Sequence, residues 1–266
     1  MRFFFKRAAF ISLCLLCGNS LQSLAWGVLG HRIVGQIAES HLTLKTRTEL
    51  KKIMGNESVA MSSNWMDFIK SDNSFRYLGK WHYLNLAPDL SFSQVNMLLK
   101  KDTGTNIHTK INFVLRELKR KETPLEKKKM YLRILVHLVG DVHQPLHCGR
   151  IEDLGGTQIK VKWFNKRVSL HSLWDSELIE FQQLSYTEYA NAINFPSAKE
   201  INSWQNDNLS KWVFESYQIS NKLYKEAETD NSYGYKYNFD YINTLNEQLL
   251  KSGVRLAGLL NKIFAD

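Results

Sequence analysis

His137-Leu138-Val139-Gly140-Asp141-Val142-His143-Gln144-Pro145-Leu146-His147 is the stretch from which the rest of this chain is read. His137 and Asp141 stand four residues apart, so on a helix they share a face and can hold one ion. Pro145 ends such a helix, since it lacks a backbone donor and its ring clashes with the preceding turn. His147 is thereby turned back toward the helix end. A lone H-x-x-x-D pair is common on ordinary helices. Three histidines and an aspartate at one buried helix end are hard to account for without metal.

Working outward, residues 126–142 carry the apolar spacing of a helix, and so do residues 106–121 and 91–100. Nearer the start, Leu29, Ile33, Val34, Ile37 and Ala38 fall on one helical face, and Thr43 is placed to cap a second helix through Met54. Downstream, residues 157–162 alternate, with Gln158, Lys160 and Lys162 against Ile159, Val161 and Trp163. The Asn165-Lys166 turn and Val168 complete one expected β-hairpin. Helices resume near His171, and a long amphipathic one covers about residues 240–264. Only four prolines interrupt the chain, which suits that reading. The expected fold is mainly α: a single-domain helical bundle with one small β-hairpin. The basic runs Lys119-Arg120-Lys121 and Lys127-Lys128-Lys129 flank Pro124 and read as a solvated corner between two helices rather than a nucleic-acid patch.

His171-Ser172-Leu173-Trp174-Asp175 repeats the four-residue spacing beyond the hairpin. Leu170, Leu173 and Trp174 mark its surroundings as core, where polar groups need partners. Two such pairs on separate helices converge naturally inside a bundle. His82, in Trp81-His82-Tyr83, and Asp67, in Trp65-Met66-Asp67, sit in aromatic settings too. Either alone reads as a satisfied core residue as readily as a ligand.

The opening residues concern compartment. Arg2, Lys6 and Arg7 precede an apolar run from Ala8 to Cys17, and Ser23-Leu24-Ala25 offers small residues where a signal peptidase cuts. Residues 1–25 therefore read as a cleaved signal peptide and residues 26–266 as one domain. The expected location is secreted or periplasmic. An uncleaved anchor is disfavoured by the short apolar core, and lipidation at Cys17 by the bulky Leu16 before it. Loss of the leader lowers the formal charge from +9 to +6, because it carries three basic residues and no acidic one. A basic exported protein suits an anionic substrate. Cys148 is then the only cysteine left, which excludes an intramolecular disulfide. Cleavage after Ala25 also exposes the α-amino group of Trp26 close to His31. That amine has a low pKa for an amine, about 7.7–8.0, and can give up its proton to a metal near neutrality.

Together these segments resemble the S1/P1 family of zinc-dependent single-strand nucleases and 3′-nucleotidases, related in fold to the zinc phospholipases C. The resemblance runs from Trp26 to at least Asp175. It rests on nine positions in matching order: Trp26, His31, Asp67, His82, His137, Asp141, His147, His171 and Asp175. It implies three zinc ions per chain. Asp67, His82, His137 and Asp141 would hold one. Trp26, through its amine and carbonyl, and His31 would hold a second, bridged by Asp141, and His147, His171 and Asp175 the third. A nitrogen and oxygen ligand set without thiolate suits zinc, and open coordination positions suit catalysis. The implied reaction uses a metal-activated hydroxide, oriented by Asp67, to cut single-stranded DNA or RNA to 5′-phosphate products and to remove 3′-phosphates. The implied state is a monomer without a membrane anchor.

For substrate contacts the resemblance implies Tyr83 as a ring that stacks on a base, Asn85 as a base reader and Lys70 as a phosphate contact. Unpaired bases stack on any aromatic face, which favours single strands. Several positions depart from the family pattern. Asn85 stands where fungal members have Asp, Lys70 where Arg is frequent, and Thr157 and Ser169 where Asn is usual. The absent disulfides point to a bacterial-type member. Cys148 matches no ligand position and reads as packing. Two other readings remain open at this point: a zinc phospholipase C acting on lipid phosphodiesters, and a non-catalytic zinc- or nucleic-acid-binding protein.

Overall fold

The first helix, Val28–Ser40, buries Ile33, Val34, Ile37 and Ala38, the face its spacing predicts. It lies against the C-terminal helix Tyr235–Ile263, the short turn Val59–Ser62 and the helix Tyr186–Ile193. The computed structural model describes residues 26–265, and the expected leader lies outside them. Thr43 caps the next helix, Leu44–Met54, by accepting from the Thr46 amide. Capping boxes start Phe92–Lys101 at Ser91 and Ile107–Lys119 at Asn106.

The helix Leu125–Asp141 runs from solvent into the middle of the molecule. Its first turns expose Leu125, Glu126 and Lys127, whereas every residue from Ile134 to Asp141 is buried. A helix buried all round needs neighbours on every side. Ile107–Lys119 and the C-terminal helix supply two of them. The helix ends at Asp141, four residues before Pro145, and a 3-10 turn Pro145–Cys148 follows.

Carbonyls freed where a helix ends in the interior must find other donors. The bundle provides them. Ser252 Oγ donates to the Val139 carbonyl at 3.0 Å and Gln248 Nε2 to that of His143 at 2.8 Å, both from the C-terminal helix. Ser216 and Ser220, on the helix Leu209–Thr229, donate to the Val142 and Cys148 carbonyls. Two long helices thus fix the turn that carries the histidine-rich motif.

The hairpin forms from β1 (Lys160–Trp163) and β2 (Lys166–Ser169), antiparallel with Val161 opposite Val168. The expected hairpin is present, and a third strand, β3 (Ser232–Tyr233), joins it by pairing parallel to β1. The connection between the last two helices fills the open edge of β1, with Lys162 N–H donating to Asn231 at 2.7 Å. The C-terminal helix also begins earlier than expected, at Tyr235, since Tyr237 and Tyr241 extend its buried face. Among the described residues no helix is long and apolar enough to cross a membrane.

Candidate metal centre

Residues distant in sequence meet at the inner end of Leu125–Asp141. His137 and Asp141 come from its last turn, His31 from the first helix, and Asp67 from the short helix Trp65–Phe68. His82 follows the 3-10 stretch Asn73–Trp81, and His147 lies in the 3-10 turn. His171 and Asp175 follow β2. Asp141 is at the centre. Its Oδ1 lies 3.3 Å from His31 Nε2, and its Oδ2 lies 3.0 Å from His82 Nδ1 and 3.3 Å from His137 Nε2. The His31 and His137 rings stack with centroids 3.9 Å apart. Gly140 makes room for this, because a Cβ there would come within 2.6 Å of His31 Nδ1.

Three sets of ligand atoms each converge within 4.8 Å: His31, Asp67 and His137; His82, His137 and Asp141; and His147, His171 and Asp175. All of these residues are buried. His137 belongs to two sets, so the first two sets adjoin. In the third, His171 Nε2 lies 3.1 Å from Asp175 Oδ2. The helix there is not the regular α-turn that the spacing suggests, because Leu173–Glu177 is a π-turn. Such turns are frequent at functional sites. Trp26 packs its fully buried indole beside Gly140 and His31, and the neighbouring Gly27 N–H donates to the Asp175 carbonyl at 2.7 Å.

The buried donors and acceptors test whether this cluster suits a metal. His82 Nε2, His147 Nε2, Asp67 Oδ2, Asp141 Oδ1 and His31 Nε2 are all buried without an aligned hydrogen bond. Each such group costs roughly 1–3 kcal/mol if nothing satisfies it. Meanwhile the other nitrogen of several rings is fixed by backbone. His137 Nδ1–H donates to the Ser63 carbonyl at 2.7 Å, His147 Nδ1–H to that of His82 at 2.7 Å, and His171 Nδ1–H to that of Gly155 at 2.6 Å. That leaves each Nε2 with its lone pair turned to the cluster, the usual arrangement of a metal-binding histidine. The donor set fits zinc.

Without a cation, electrostatics ionise the carboxylates and neutralise three of the five imidazoles. Burial would raise the Asp141 carboxyl, but His137 and His147 hold it well below the usual range. Burial acts likewise on Asp67, where His137 and Lys70 outweigh it and lower the carboxyl. Burial lowers His31 and His147 and brings His82 down to about 4. His137 and His171 move upward, because nearby carboxylates outweigh their burial. The carboxylates that hold a proton on His137 and His171 would hold a cation at the same nitrogens, while His31, His82 and His147 are already neutral.

Three histidines of the cluster, His82, His147 and His171, line a cleft of about 320 Å³ together with Lys70, Tyr83 and Asn85. Lys70 Nζ donates to Asp67 Oδ1 at 2.6 Å. Tyr83 is 41% exposed, which excludes a purely core role. Thr157 lines the cleft, and Ser169 caps the His171 helix by accepting from the Ser172 amide. Ser169 can therefore serve as the N-cap that its position calls for. Cys148 is fully buried, and burial followed by Asp141 pushes its thiol up to about 12, in line with packing.

The structure adds Gln144 and Arg255, to which the sequence reading gave no role, and takes His143 out of the group of motif histidines that pointed to metal. Gln144 Nε2 donates to Asp175 Oδ1, and its Oε1 accepts from the Leu146 amide. Its signal was a polar residue next to Pro145 inside the motif. His143 lies outside all three sets. Its Nδ1–H donates to the Val139 carbonyl, and its Nε2 accepts from Arg255 at 2.9 Å. Arg255 is 1% exposed and pairs with Asp207 at 2.7 Å and Glu215 at 2.8 Å. A single arginine within the apolar run Val254 to Leu260 was its only trace in the sequence.

Comparison with known proteins agrees with this geometry. A family model described as S1/P1 Nuclease matches residues 26–265. Endonuclease 3 of Arabidopsis thaliana is 29% identical over 91% of this chain and 90% of its own length. Nuclease P1 of Penicillium citrinum is 26% identical over 90% of this chain and 97% of its own length. Nuclease S1 of Aspergillus oryzae is 28% identical over 58% of this chain and 55% of its own length.

Proposed function

Because this chain belongs to the S1/P1 nuclease family, we propose that it is a zinc-dependent endonuclease of single-stranded DNA or RNA that also removes 3′-phosphates from nucleotides. The observation that carries this reading is the convergence of buried Asp and His atoms without aligned hydrogen bonds beside a cleft that His82, His147 and His171 line. We further propose three zinc ions, held by Asp67, His82, His137 and Asp141; by Trp26, His31 and Asp141; and by His147, His171 and Asp175. Processing after Ala25 would free the Trp26 amine and deliver the domain, residues 26–266, outside the cytoplasm as a monomer. Bound zinc would supply Lewis acidity toward phosphoryl oxygens and make water acidic enough to act as nucleophile near neutral pH.

The chain's own side chains account for the remaining steps. Asp67 is braced by Lys70 through Oδ1, and its buried Oδ2, which has no hydrogen bond of its own, would share its lone pairs between zinc and the attacking water. Lys70 is partly exposed at the cleft, where its ammonium can meet a phosphate oxygen as a point charge. Tyr83 can stack on an unpaired base, and Asn85 can both donate to and accept from a base edge. A paired duplex hides its base faces, so the cleft favours single strands.

The test uses protein processed at Trp26. Three zinc ions per chain are expected, with nucleotide release from single-stranded DNA that a chelator abolishes and added zinc restores. Release of phosphocholine from lecithin without nucleotide release would replace the nuclease reading with a phospholipase. No turnover on either substrate would leave a binding protein.

A further inference from the structure

The stretch Asn73–Trp81 leads from the Lys70 side of the cleft to His82, and its outer surface is both aromatic and cationic. Phe75 stacks on Tyr77 with centroids 6.3 Å apart, and Tyr77 meets Trp81 edge-on at 5.6 Å. Trp81 in turn meets Phe113 edge-on, and Lys110 Nζ lies 4.9 Å from the Trp81 ring centre. Tyr77 remains 52% exposed although its neighbours in this row hold it in place. A ring so braced keeps a fixed orientation while offering a free surface.

Charge accompanies it. Arg76 and Lys80 are exposed, and among the described residues neither they nor Lys110 form an ion pair. Asp72, the N-cap just before this stretch, is turned to Ser74, accepting from its amide at 2.9 Å and its hydroxyl at 2.8 Å. Gly79 connects the two regions. It lines the cleft with Tyr83, two residues after Tyr77, and a Cβ there would meet nothing within 4 Å, so no side chain stands over the backbone at that point. A solvated surface would account for Arg76 and Lys80 but not for a braced, exposed tyrosine between them.

Resting on the nuclease reading, we propose that Tyr77, flanked by Arg76, Lys80 and Lys110, is a second base-stacking platform that holds a nucleotide of a single strand outside the catalytic cleft. Stacking tolerates any base, and the unpaired cations suit the phosphates on either side. The platform would make the protein prefer an oligonucleotide over a mononucleotide or dinucleotide without altering the chemistry at Asp67.

The zinc-loaded protein would be titrated with a phosphorothioate oligonucleotide of about twelve nucleotides, within the span of known single-strand sites. Hydrolysis of a 3′-mononucleotide would be followed in parallel. Tyr77→Ala should weaken oligonucleotide binding about thirtyfold, the middle of the range for one lost stack, and leave mononucleotide turnover unchanged. Arg76→Gln and Lys80→Gln should each lower the slope of log affinity against log salt by roughly 0.7. The platform is overturned if wild-type protein binds the oligonucleotide no tighter than a dinucleotide, or if all three variants match wild type. Tight, Tyr77-dependent binding by a protein that cleaves nothing would remove the nuclease reading and leave the platform standing.

Discussion

Gln144 links two parts of the centre through opposite ends of one amide. Its nitrogen donates to Asp175, and its oxygen receives the Leu146 amide that sets the turn bearing His147. His147 and Asp175 belong to the same convergent set. Losing a hydrogen bond that orients a metal ligand costs typically 10–100-fold in metal affinity or activity. Gln144→Ala should therefore release zinc from this set at chelator concentrations that wild-type protein withstands, and slow cleavage by a similar factor. Zinc content and turnover equal to wild type would show that Gln144 only fills space. This role could not be read from sequence, because it depends on a residue 31 positions away. His143 shows the converse. It stands among the motif histidines with nothing local to distinguish it, yet Arg255 claims its ring. His137 and Asp141 were legible because helical spacing alone brings them together.

At the scale of elements, the decisive feature is a helix that is wet at one end and buried all round at the other. The apolar run Ile134 to Val139 already carries this, so Leu125–Asp141 was legible from sequence to within a residue at each end. β3 was not legible. It has two residues, no periodicity, and a partner 70 positions earlier, so only the meeting of two chain segments creates it. The long helices also hold the buried Arg255, whose guanidinium joins His143, Asp207 and Glu215. Removing one partner of a buried ionic network is costly because the others keep their charge. Lys211 remains 2.8 Å from Asp207, which softens the loss. Arg255→Met should lower unfolding stability by about 3 kcal/mol, the lower end of that class. A urea midpoint indistinguishable from wild type would refute it. Zinc content should be unchanged, since Arg255 touches none of the convergent sets and the turn keeps its bonds to Gln248 and Ser252.

For the whole molecule, the question is how the start of the domain joins its centre. Trp26 sits with its indole buried against the helix that supplies His137 and Asp141, and Gly27 is hydrogen-bonded to the Asp175 backbone. Trp26 and Gly27 are therefore held beside the sets by packing and backbone contacts that do not require a free amine. An amine ligand at Trp26 would then make export do more than address the protein, because signal cleavage would create a metal-binding group in a site otherwise already built. The packing allows folding and metal binding to be separated experimentally. A form that begins with Met followed by Trp26 should fold with the thermal transition of the correctly processed chain when both are stripped of metal. It should bind one zinc fewer and cleave single-stranded DNA at least about tenfold more slowly, as expected for a lost ligand. Full zinc content and native turnover in the Met-extended form would rule out the amine as a ligand. A metal-stripped form that no longer folds would instead show that Trp26 needs a free terminus to pack.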